Sequence, residues 1–169
     1  MKKHPLLIVT IVFAYLFSSC SKSNSSPSAY LKLKINGTWV TYNYALSELG
    51  PDLSNPAKTD LAVSANNKSQ TEVFGISIQS DNQITTGTYA SDDLRYFIVV
   101  DYMTTTNNDL RDWSNDDVSN KPPSKYTITI TSITDKEIKG TFTGNYVSEF
   151  ITEDVKEITE GEFSAPRIR

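Results

Sequence analysis

From Tyr126 the chain alternates strictly: Tyr126, Ile128 and Ile130 fall on one parity and Thr127, Thr129 and Thr131 on the other. A period of two is the mark of a half-buried strand. Thr134-Asp135-Lys136 turns the chain, and the return places Ile138, Gly140, Phe142, Gly144 and Tyr146 on one face. Lys139, Thr141, Thr143 and Asn145 take the other. Glycines among large inward residues predict close packing or a bulge that curves the sheet. Near the start, Leu31, Leu33 and Ile35 alternate with Lys32 and Lys34. Asn36-Gly37 follows, a strong hairpin signal because both residues tolerate positive φ. Its return strand runs from Thr38 to about Tyr44, which makes Trp39 a core candidate.

A third hairpin is predicted from Leu61–Ser64 through Asn66-Asn67-Lys68 to Glu72–Ile78, with Phe74, Ile76 and Ile78 on one face. Tyr96 to Val100 is short and continuously apolar, the pattern of a strand covered on both sides. A last strand is expected around Ile158 to Phe163, and Tyr44 to Leu49, stopped by Gly50-Pro51, reads as one or two turns of helix. About eight short strands without intervening helices predict an all-β fold, a single antiparallel β-sandwich or partly open barrel over residues 30–169. Two stretches exceed ordinary turn length, 47–60 and 104–125, and loops that long are uncommon unless they function or are unstructured.

The amino-terminal end is organised differently. Lys2 and Lys3 precede an apolar run from Pro5 to Phe17, and Ser18-Ser19-Cys20 closes it. A run of thirteen residues falls short of the roughly twenty a membrane-crossing helix needs, and a basic start with small residues at the end reads as a signal peptide. Basic, apolar, small and then cysteine resembles the export signal of bacterial lipoproteins, although Phe17 stands where leucine is commoner, three before the cysteine. The resemblance implies removal of residues 1–19 and lipidation of Cys20. Ser21 to Ala29 is a polar, serine-rich tether that cannot bury apolar surface. Ser21 is not the aspartate associated with inner-membrane retention, and no acidic run follows the cysteine. The outer membrane is therefore expected, with its periplasmic face favoured over the cell surface.

Removing the leader also changes the chemistry. Cys20 is the chain's only cysteine, and His4, the only histidine, lies in the leader. The mature domain then offers no Ser-His-Asp triad, no cysteine nucleophile and no ordinary zinc site. Loss of Lys2 and Lys3 leaves 14 basic against 20 acidic residues, a net charge of −6. That balance argues against nucleic acid, whose phosphates need lysine and arginine, and against electrostatic adhesion to anionic lipid. No glycine-rich phosphate loop is present, and no cofactor or metal is expected.

Ile128-Thr-Ile-Thr-Ser-Ile133, Ile138-Lys-Gly-Thr-Phe-Thr-Gly144, Ile158-Thr-Glu-Gly-Glu-Phe163 and Gly87-Thr-Tyr89 together resemble small Bacteroidota lipoproteins of uncharacterised function. That resemblance implies a cell-envelope β-sandwich and carries no active site.

Candidate chemistry therefore rests on loops and carboxylates. The stretch from Asn107 to Asp117 concentrates side-chain oxygens, as calcium prefers, but the central glycine of the helix–loop–helix calcium pattern is missing. Within it, Trp113 either packs on the sandwich or stacks on a sugar with Asp112, Asn115 and Asp116 supplying hydrogen bonds. Glu160 and Glu162, two apart on one strand, lie about 7 Å from each other on one face, a spacing that suits a two-carboxylate glycan hydrolase. Charged residues at alternate positions are also what any solvent-facing strand shows. The leading expectation is a non-enzymatic, lipid-anchored envelope module that binds a partner protein or glycan through its long loops. The alternatives are that hydrolase, or a purely structural envelope component.

Overall fold

In the computed structural model, which describes residues 28–106, 109–114, 125–148 and 155–168, the alternating segments fold as strands and no helix forms among them. There are eleven strands: β1 (Tyr30–Ile35), β2 (Thr38–Tyr42), β3 (Tyr44–Pro51), β4 (Thr59–Asn66), β5 (Glu72–Ser80) and β6 (Gly87–Ala90) come first. β7 (Tyr96–Thr106), β8 (Asp109–Ser114), β9 (Tyr126–Ile133), β10 (Glu137–Ser148) and β11 (Val155–Pro166) complete them. They make two antiparallel sheets, a sandwich not closed into a barrel. One sheet runs β2-β1-β11-β10-β9-β6 and the other β3-β4-β5-β7-β8. The leader and all but the last two residues of the tether lie outside the described residues.

The first hairpin forms as its turn residues dictate. Asn36 has φ 48° and Gly37 φ 79°, and Ile35 faces Thr38 across them, a two-residue turn with positive φ at both positions. Asn36 also fixes its neighbour: its N–H donates to Glu157 O at 2.9 Å, and its Oδ1 accepts from Glu157 N at 2.8 Å.

Asn43 alone separates β2 from β3, so the chain turns a corner from one sheet into the other. The two sheets meet again at Ser47, whose Oγ donates to Ala165 O at 2.9 Å, and where Trp113 pairs with Ser148. Between them a file of rings fills the core: Tyr42 to Phe74 at 6.4 Å, Phe74 to Phe142 at 5.3 Å and Phe142 to Phe163 at 6.4 Å. Gly140 faces Phe163 and Gly161 faces Phe142 across the β10–β11 ladder. A Cβ at Gly161 would lie 2.6 Å from Phe142 O and 2.7 Å from its ring. Glycine is what lets each ring lie across its partner strand.

Three expectations are corrected. Residues 44–49 are strand, because all eight residues of β3 pair with β4, and a continuous ladder outweighs local helix propensity. The supposed loop at 47–60 shrinks to 52–58. There Asp52 Oδ1 accepts bonds from Ser54 N and Oγ, both at 2.6 Å, and from Asn55 N at 2.8 Å. The apolar run in β7 is covered on one face only: Ile98 and Val100 are buried, whereas Phe97 is 59% exposed.

Candidate functional site: the outer face of the six-stranded sheet

Two rows of side chains cross the outer face of the six-stranded sheet. The first runs Thr88, Thr129, Thr141, Glu162, Lys32 and Thr41, one residue from each strand. Beside it lie Thr127, paired with Thr143, and Lys34, paired with Trp39. The Thr88 and Thr129 hydroxyls are 3.1 Å apart. Threonine suits these places because its branched carbon packs on the pleat while its hydroxyl stays wet.

A bulge in β11 shapes the middle of this face. Ile158 and Phe163 are both buried in the core, yet they stand five positions apart, so their parities differ. One extra residue must be absorbed, and the register shifts between Lys32 and Lys34 and between Phe142 and Gly144. Glu160 takes the strain with φ 51°. The result is a shallow groove of about 430 Å³ floored by Thr127, Thr129, Thr141 and Thr143, with Trp39, Lys32, Glu160 and Glu162 along it.

Trp39 is therefore not core. Its ring is 50% exposed, with Lys34 Nζ 5.0 Å and Lys32 Nζ 5.6 Å from the ring centroid, within cation–π range. The same lysines hold the carboxylates: Lys34 Nζ is 2.5 Å from Glu160 Oε1, and Lys32 Nζ is 2.8 Å from Glu162 Oε1. The hydrogen bond from Lys32 holds the Glu162 carboxyl below its usual range, helped by a bond from Tyr30. Lys32 is raised in turn, chiefly by Glu162.

Two-carboxylate hydrolysis needs one carboxyl with a raised pKa to donate a proton, facing its partner across the substrate. Here Glu162 is shifted the opposite way. Both glutamates also stand on one open face, each beside a lysine. The arrangement offers an aromatic surface, a file of hydroxyls and two carboxylates each paired with a lysine.

The loop residues singled out from sequence are only partly placed. Asp112 and Trp113 belong to β8, so the 104–125 stretch begins as a hairpin of β7 with β8, not as a loop. Asp112 faces Met103 and Trp113 faces Tyr102 in register. Asn115 and Asp116 lie outside the described residues, as does Cys20. Sequence reasoning missed Trp39, though the signal was available. A two-residue Asn-Gly turn puts Trp39 opposite Lys34, and Lys34 was already on the polar face.

No family model, curated protein or solved structure matches the chain.

Proposed function

We propose that the protein is a lipid-anchored, non-enzymatic module of the cell envelope that holds a glycan on the outer face of its six-stranded sheet. The observation that carries the binding reading is Trp39, half exposed at the edge of a threonine-floored groove. A pyranose ring has an apolar C–H face and a rim of hydroxyls. An indole beside hydroxyls and ion pairs matches both, and Tyr and Trp serve well where one side of a ligand is apolar and the other wet. The anchor reading is supported by the order of residues 2–20: Lys2, Lys3 and His4, then the run from Pro5 to Phe17 that is apolar but for Thr10 and Tyr15, then two serines and Cys20. With the resemblance of the β9–β11 motifs to Bacteroidota lipoproteins, this order supports an outer-membrane protein whose periplasmic face is favoured over the cell surface.

The test is retention of the mature domain in gels containing soluble polysaccharides of the envelope. Trp39→Ala is expected to abolish the retention seen with the wild type while leaving thermal unfolding unchanged. Retention undiminished in Trp39→Ala would refute the groove. Loss in Trp113→Ala alone would move the site to Asp112, Trp113, Asn115 and Asp116, where the sequence first pointed.

A further inference from the structure

The Trp39 groove is longer across the strands than along them. Of its lining residues, Trp39 lies on β2, Lys32 on β1, Glu162 on β11, Thr141 on β10 and Thr127 on β9. These five strands are neighbours in that order, so the groove crosses four strand spacings, roughly 19 Å. Along any one strand the lining holds at most two outward side chains, about 7 Å apart. A single sugar ring would fill only a fraction of this length.

The side chains differ along the long axis. Trp39, half exposed, stands at one end. The pairs Lys34–Glu160 and Lys32–Glu162 come next, and the cross-strand pairs Thr129–Thr141 and Thr127–Thr143 take the other end. The four charges sum to zero, so a charged saccharide meets no net opposite charge here. A neutral sugar fits the ion pairs as they stand. One of two adjacent hydroxyls donates to the carboxylate while the other accepts from the ammonium.

We propose, on the glycan reading above, that the ligand is a neutral, straight, β-1,4-linked glycan lying across the strands, with about four or five units in contact. One sugar stacks on Trp39 and another, several units on, meets Thr127 and Thr143. Equatorial 1,4 links keep a chain of pyranoses straight, and each unit advances it by little more than one strand spacing. Successive sugars therefore meet successive strands. Among the described strands β2 and β6 are both edges, so no further strand closes the row at either side, and the interior of a long chain can lie there.

The experiment titrates detergent-solubilised full-length protein, by calorimetry, with β-1,4-linked oligosaccharides of glucose, mannose and N-acetylglucosamine from one to six units long. In at least one series affinity is expected to rise about tenfold from the dimer to the tetramer, as one or two added hydrogen bonds would give, and to level off at the hexamer. Trp39→Ala should weaken every length. Thr127→Val combined with Thr143→Val should weaken the tetramer and longer chains and leave the dimer unchanged. Both positions are exposed, and valine keeps the branched carbon that suits a strand, so this variant folds. A dimer bound as tightly as the hexamer, with Trp39→Ala abolishing both, overturns the proposal and leaves the glycan reading standing. So does stronger retention in gels of carboxymethylcellulose than of hydroxyethylcellulose, which shares its backbone but not its charge. Binding of none of the oligosaccharides also overturns the proposal, and it takes the glycan reading with it only where envelope polysaccharides fail to retain the protein as well.

Discussion

Replacing Gly161 with alanine tests the packing that shapes the groove from beneath. The added Cβ would meet Phe142 O at 2.6 Å and two atoms of the Phe142 ring at 2.7 Å. The carbonyl belongs to the β10–β11 ladder, and the ring is held between Phe74 and Phe163, so neither can step aside cheaply. Overpacking of this kind costs about 1–3 kcal/mol, which lowers the melting temperature of a domain this size by roughly 3–12 °C. Gly75→Ala is the control. The nearest atoms to its Cβ, on Asp101, are 3.9 Å away, an ordinary contact. Alanine there stiffens the unfolded chain and is expected to stabilise by about 0.4–1 kcal/mol. The two substitutions should therefore move the urea midpoint in opposite directions. Phe142→Leu removes the ring but leaves the carbonyl, so in that background Gly161→Ala should cost less without becoming neutral. Equal midpoints for Gly161→Ala and Gly75→Ala would refute the reasoning.

Asp52 gives a pH prediction. Hydrogen bonds from the Ser54 hydroxyl and from the Asn55 and Ser54 backbone lower its carboxyl from 3.8 to about 2. The folded state binds the proton more weakly than the unfolded state, so the stabilisation is complete above the unfolded value and is lost as pH falls through about 2. Asp52→Ala should flatten that part of the acid limb in urea titrations between pH 4 and 2; an unchanged limb would discount the network. Asn36→Ala loses the tolerance for φ 48° that asparagine's short polar side chain provides, costing about 1 kcal/mol, and removes the bond to Glu157 N, costing about 1 kcal/mol more. Asn36→Gly should lose only the second part. Equal urea midpoints for the two would show that backbone strain is not the issue.

Much of the fold was legible because its signals are local. Asn36-Gly37 names its own turn, and the Ile-Thr alternation of β9 fixes which face of that strand is buried. Tyr44-Ala-Leu-Ser-Glu-Leu49 misled because Ala, Leu and Glu favour helix, while the pairing that makes it a strand comes from residues 59–66, beyond any local window. Phe97 misled for a related reason: an apolar run says nothing about whether a second layer exists to cover it. The spacing of Glu160 and Glu162 suited a two-carboxylate site and an ordinary solvent-facing strand alike. Their lysine partners come from β1, well over a hundred residues earlier, and only the folded register brings them together. The groove was half legible. Threonine parity marked its floor and the opposite parities of Ile158 and Phe163 implied the bulge, but the exposure of Trp39 depended on β2 being an edge strand.

The most direct test of the proposed lipid anchor is the mass of the amino-terminal peptide isolated from membranes of cells expressing the full chain. It should begin at Cys20 and carry the added mass of a diacylglyceryl group, with or without a further amide-linked acyl chain. A peptide beginning at Met1, or one beginning elsewhere with an unmodified Cys20, would contradict the account.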